Sequence, residues 1–137
     1  MRIALKICIV SGLILATITS CSRKKNSFIN RNFHAVTAEY NALFNGYEAL
    51  KQGQNSLNEG YKDNYWDILP VERMQVSDEI VLPGQSKNES FTKAEEKAVK
   101  AIQKHGMNIQ GKEYNPQIDE AYLLLGEARY FDQRFVP

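Results

Sequence analysis

The chain has 137 residues, 17 of them Lys or Arg and 16 Asp or Glu, for a net charge of +1, with 43% hydrophobic and 24% charged residues. These proportions exclude a collagen-like chain, a disulfide-built scaffold and a strongly basic nucleic-acid binder. The length supports one small domain.

Arg2 and Lys6 open a short basic region, and Ile7 to Ile18 is an almost uncharged apolar run. This pattern predicts a secretory signal peptide over residues 1–20, too short to be a membrane-spanning helix. Ile18-Thr19-Ser20-Cys21 resembles the bacterial lipobox: a branched apolar residue, two small residues, then a cysteine that is acylated and becomes the mature N-terminus. That resemblance implies a membrane anchor at Cys21, each acyl chain adding about 0.8 kcal/mol of affinity per buried CH₂. Cleavage removes Arg2, Lys6 and no acid, leaving 15 basic against 16 acidic groups. Cys8 leaves too, so Cys21 is the only mature cysteine, and neither a disulfide nor a cysteine metal site is expected within one chain.

Residues 21–32 are polar and basic and predict a lipidated tether. Arg23, Lys24 and Lys25 within it suit either anionic headgroups or plain solvation. In residues 33–63 we expect a first helical hairpin. Phe33, Val36, Tyr40, Leu43, Phe44, Tyr47 and Leu50 recur at steps of three and four, which places them on one apolar helical face. Gly53 reads as the stop, and a weaker second helix carries Leu57 and Tyr61 back toward the first. Residues 64–91 predict an ordered loop insertion, packed by Trp66 and Ile68, with turn signals at Leu69-Pro70 and Pro83-Gly84.

Residues 92–137 hold two further helices. Thr92 and Glu95 fit a capping box, after which Ala94, Ala98, Val99 and Ile102 line one face up to a close at Gly106. Asn115 as N-cap and Pro116 in the first turn open the last helix, with Ile118, Ala121, Tyr122, Leu125 and Ala128 as its face. Ala121 to Tyr130 resembles the first helix of a tetratricopeptide repeat, with Tyr122, Leu125 and Gly126 at the aromatic, leucine and glycine positions. Tyr40, Leu43 and Tyr47 look like a degenerate copy in which Phe44 replaces the glycine. The fold class expected is therefore all-α: tetratricopeptide-like helical hairpins opening a solenoid, with an irregular insertion. The last repeat is incomplete at residue 137, so the chain reads as the N-terminal piece of a longer solenoid.

A wider resemblance joins these segments. The lipobox, YNALFNGYEALKQG (40–53), DNYWDILPVE (63–72) and KAVKAIQKHGMNIQGKEYNPQIDEAYLLLGEARYF (97–131) together look like the N-terminus of the PorW/SprE lipoproteins, tetratricopeptide lipoproteins of Bacteroidota linked to gliding motility and type IX protein secretion. The resemblance implies a non-enzymatic accessory at the outer membrane that contacts other envelope or secretion-system proteins. The basic residues after Cys21 point to its periplasmic face.

No catalytic constellation or cofactor motif is visible, so an enzyme is not expected. His34 and His105 are the only histidines, and His105 reads as a helix-terminal partner of the dipole. Lys97, Lys100 and Lys104 form one basic edge, read as a solvated face. The alternative function is a lipoprotein that binds a glycan or nutrient for uptake, with Trp66 as an aromatic platform.

Overall fold

The computed structural model describes residues 22–74 and 88–135; Cys21, the expected signal peptide and the expected turn at Pro83-Gly84 lie outside the described residues. The chain forms helix α1 (Phe28–Thr37), a π-helical turn (Ala38–Leu43), α2 (Phe44–Gly60), α3 (Glu89–His105), strands β1 (Asn108–Ile109) and β2 (Lys112–Glu113), and α4 (Ile118–Phe131). The described residues are mostly helical, as an all-α class requires. Their only strands are the two-residue arms of a hairpin pairing Asn108 with Glu113 and Ile109 with Lys112.

The expected hairpin over 33–63 is instead one continuous rod from Phe28 to Gly60. Gly53 does not end a helix, because a Cβ there would overlap the Phe91 ring. The cost of a mid-helix glycine, about 1 kcal/mol against alanine, is offset by burying that ring completely. The tether is shorter than expected as well. Ser27 caps α1, its hydroxyl accepting from the Asn30 amide at 3.2 Å. The Asn30 side chain then donates to the Ser22 and Lys25 carbonyls at 2.9 and 3.1 Å.

The buried face of the rod is made of small residues rather than aromatics. Ala38, Ala42, Leu43, Gly46, Ala49, Leu50 and Gly53 point inward, while Phe33, Val36, Tyr40 and Phe44 are exposed. From His34 to Gly46 the buried positions recur at steps of four, which in a pure α-helix drift about 40° per step. The π turn, in which the Phe44 amide donates to the Glu39 carbonyl, underwinds the rod and holds that stripe toward its neighbours.

α3 packs antiparallel to both α2 and α4. Its own small face, Ala94, Ala98 and Ala101, is fully buried with Phe91 between Gly53 and Phe131, the two rings stacked at 6.1 Å. The helix starts four residues before Thr92, at an Asn88 cap whose side chain accepts from the Ser90 amide at 2.9 Å. Phe91 needs a helical position to reach the core, and Thr92 sits inside the first turn with its hydroxyl on the Asn88 carbonyl. Glu95, expected to reach back in a capping box, accepts from Arg129 of α4 at 2.9 Å and pairs with Arg134.

Connections are fastened by polar side chains. Gln110 and Gly111 both take positive φ in the hairpin turn. One Glu113 carboxylate oxygen accepts from the Met107, Tyr114 and Asn115 amides at 2.7, 3.1 and 2.9 Å. Buried Asn115 donates to the His105 carbonyl at 2.8 Å and accepts from the Gln117 amide at 3.0 Å, so it joins the end of α3 to the start of α4. α4 closes in a Schellman turn, with Gln133 at positive φ and the Arg134 amide donating to the Arg129 carbonyl at 2.9 Å.

Candidate interaction surfaces

The residues expected to pack a repeat separate into two groups. Leu43 and Ala128 are buried, and Tyr47 and Leu125 are half-buried against the core. Tyr40, Tyr122 and Gly126 are exposed, so they take no part in the packing among the described residues. On α4 the core is reached by Ile118, Ala121, Leu124 and Ala128, a face turned toward Leu124 and away from Tyr122. The close crossing expected at Gly126 occurs instead at Gly46. A Cβ on Gly46 would come within 2.5 Å of Leu124, while the corresponding position on Gly126 meets nothing within 4 Å.

Three exposed apolar surfaces result. The first is the outer side of α4, where Tyr122, Leu123 and Tyr130 surround Gly126. Tyr130 meets Phe135 edge-to-face at 6.3 Å. The second is a groove of about 460 Å³ between the π turn and the start of α4, lined by Tyr40, Leu43, Phe44, Tyr47 and Pro116 with Glu39 and Glu120 beside it. The Tyr47 hydroxyl donates to the Glu120 carboxylate at 3.1 Å. Burial, followed by that bond and the charges of Glu120 and Glu127, pushes the Tyr47 phenol up to about 12. Burial next to Glu120 and Glu72 likewise holds Glu127 above the usual carboxylate range.

The third surface is α1 with the segment before it. Phe28, Ile29, Phe33 and Val36 are exposed there, and the side chain of Arg23 donates to the Gln103 carbonyl at the end of α3. Beside it a cleft of about 660 Å³ opens between Arg23, Lys24, Ile102, Glu113, Asp119 and Tyr122. Behind α1 lies a contact that the sequence reading missed. His34 and His105 bring their Nδ1 atoms to 3.2 Å with ring centroids 5.5 Å apart. Burial, then the neighbouring His34, Lys100, Arg23 and Lys104, hold His105 below its ordinary value of 6.5.

The loop after α2 is pinned by charge rather than by apolar packing. Arg73 pairs with Asp63 at 3.2 Å and lies over the Tyr61 ring at 5.2 Å. Trp66 is 98% exposed, with Ile68 and Val71 similarly in solvent, so Trp66 and Ile68 do not pack the loop as expected. Nor does Trp66 line either cleft described above.

Among the described residues no three or more His, Cys, Asp or Glu side chains are grouped to hold a metal ion, and no helix is long and apolar enough to cross a membrane. No protein family model matches the chain, and a search of curated proteins finds no match.

Proposed function

We propose that the chain is a lipid-anchored helical-repeat scaffold of the cell envelope. It is held at the outer membrane by acylated Cys21 and recruits other envelope proteins in the service of type IX secretion and gliding motility. The secretion assignment rests on the PorW/SprE resemblance of residues 40–131, and the anchor on the lipobox.

The structural observation that supports a scaffold is the second apolar side of α4. Leu124 and Ala128 face the core, yet Tyr122, Leu123 and Tyr130 are exposed on the other side around an unfilled Gly126. A helix apolar on two sides needs two partners. In a repeat array that second side is covered by the following helix or by a bound protein, and a glycine there permits close approach.

The test places a photo-crosslinking residue at position 123 in the full protein in its own cells, with exposed position 51 on α2 as control. Adducts to one envelope protein from 123 alone support the scaffold; adducts from neither position, or equally from both, overturn it. Replacing Leu123 and Tyr130 with Ser is then expected to reduce export of secreted cargo. In the same cells Cys21→Ser moves the protein out of the salt-washed membrane fraction; its retention there counts against the acyl anchor.

A further inference from the structure

We infer that α1 is a second, non-covalent membrane contact: an interfacial helix that lays its outer face onto an anionic phospholipid surface. Ile29, Phe33 and Val36 are separated by four and three residues. At about 100° per residue they fall within an arc of about 60°. All three are exposed, at 71%, 49% and 53%. The stripe faces away from the bundle, since the buried residue of α1 is His34, which meets His105 of α3. Tyr40 continues the stripe one turn on, at 66% exposed.

The charge around α1 is mainly positive. Residues 22–38 contain Arg23, Lys24, Lys25 and Arg31 and no Asp or Glu. Lys100 and Lys104 add positive charge from α3, close enough to act on His105. The nearby carboxylates are Glu39, at the far end of the stripe beside Tyr40, and Glu113 and Asp119 in the adjoining cleft, of which Glu113 is occupied by three backbone amides. An apolar helical stripe next to a basic segment is the composition that partitions into the boundary between headgroups and acyl chains of an anionic bilayer. Each Lys or Arg close to such a surface strengthens binding about fivefold.

A second copy of the chain is a poorer occupant. The spacing of Ile29, Phe33, Val36 and Tyr40 suits a coiled-coil seam, but it covers under two heptads where three or four are needed. Pairing two such helices side by side also brings like charges together at Arg23, Lys24, Lys25 and Arg31.

The experiment uses residues 22–137, which contain the whole described fold and lack both the leader and Cys21, so no acyl chain contributes. Co-sedimentation is measured with phosphatidylcholine–phosphatidylglycerol vesicles and with phosphatidylcholine alone. Binding is expected to the first and to fall strongly with added salt. Lys24→Gln with Lys25→Gln should weaken it about 25-fold, two steps of about fivefold each. Ile29→Ser with Phe33→Ser should weaken it at least about tenfold. Phe33 also meets His34 edge-to-face at 5.4 Å, so Ile29→Ser with Val36→Ser, which spares that contact, should weaken binding likewise while leaving circular dichroism and the urea midpoint unchanged. The inference is overturned by absence of binding to anionic vesicles, by equal binding to neutral ones, or by binding indifferent to the Ile29/Phe33 change. Dimers in sedimentation velocity that the same change abolishes would assign the stripe to a second copy instead. None of these outcomes depends on the scaffold reading or on acylation of Cys21.

Discussion

Gly53, Gly46 and Gly126 are chemically identical, yet each is held by a different environment. Gly53 and Gly46 admit the Phe91 ring and the Leu124 side chain, whereas Gly126 faces open space. Gly53→Ala therefore gains about 1 kcal/mol of helix propensity and loses about 1–3 kcal/mol to overpacking, for a net loss of stability. Gly126→Ala gains the propensity with nothing to oppose it and should stabilise the isolated chain by about 0.5–1 kcal/mol. Urea midpoints of the two variants should move in opposite directions; a shared direction would contradict the packing described. In the sequence Gly53 reads as a stop and Gly126 as a crossing point, because a helix-ending glycine cannot be told from a helix-crossing one by its neighbours. What separates them is the position of Phe91, 38 residues beyond Gly53 along the chain. The histidine contact was hidden for the same reason: nothing local links residue 34 to residue 105.

At the level of elements, periodicity finds the helices and most of the inner faces of α3 and α4, where Ala94, Ala98, Ile118, Ala121 and Ala128 are buried, but misplaces the face of the first half of the rod. The stripe from Phe33 to Leu50 is a genuine 3.6-residue pattern, but only Leu43 and Leu50 of it are buried, and they share the core with the neighbouring Ala and Gly positions. Hydrophobicity ranks Phe above Ala; close helix approach favours the smaller residue. The π turn is invisible to a fixed period, since it changes the period itself. α4 was the more legible helix because Asn115 and Pro116 punctuate it, although its first residue is Ile118. Its closing turn is secured by a charge cluster that joins two elements. Glu95 of α3 accepts from Arg129 and forms an ion pair with Arg134, and Arg134 also pairs with Asp132 at 2.7 Å. Arg134 is buried and keeps Asp132 as its counter-ion, so Glu95→Gln removes one of its two charge partners and should cost about 1.5–3 kcal/mol. Arg129→Gln removes only an exposed partner and should cost under about 1 kcal/mol. Similar losses in the two variants, read from denaturant curves, would show that Arg134 does not depend on Glu95.

Across the whole molecule, stability is unevenly distributed. One core unites α2, α3, α4 and the π turn, whereas α1 contributes a single buried side chain, His34. Amides of α1 should therefore exchange through local opening, with lower protection factors than those of α2 or α3. The hold on α1 is pH-dependent through His105. Its folded value is lowered, so the neutral ring contributes stability that is fully present above 6.5. That contribution is lost as pH falls below 6.5 toward the lowered folded value, because the unfolded ring takes the proton first. Protection of α1 should drop over that window while protection of α2 stays flat, and a constant ratio between the two would refute the coupling. The folded-back N-terminus has a mechanical consequence. Residues 22–27, if free, would reach about 20 Å from the bundle; tied down through Arg23 and Asn30, they give almost no slack. The loop bearing Trp66 lies at the other end of α2, about 25 Å away. On the proposed acyl anchor at Cys21, a molecule gripped at one end and exposing aromatics at the other would work as a standoff. It would then fix how far from the bilayer a partner sits, so distance itself becomes a property that lengthening α2 and α3 by whole turns would tune.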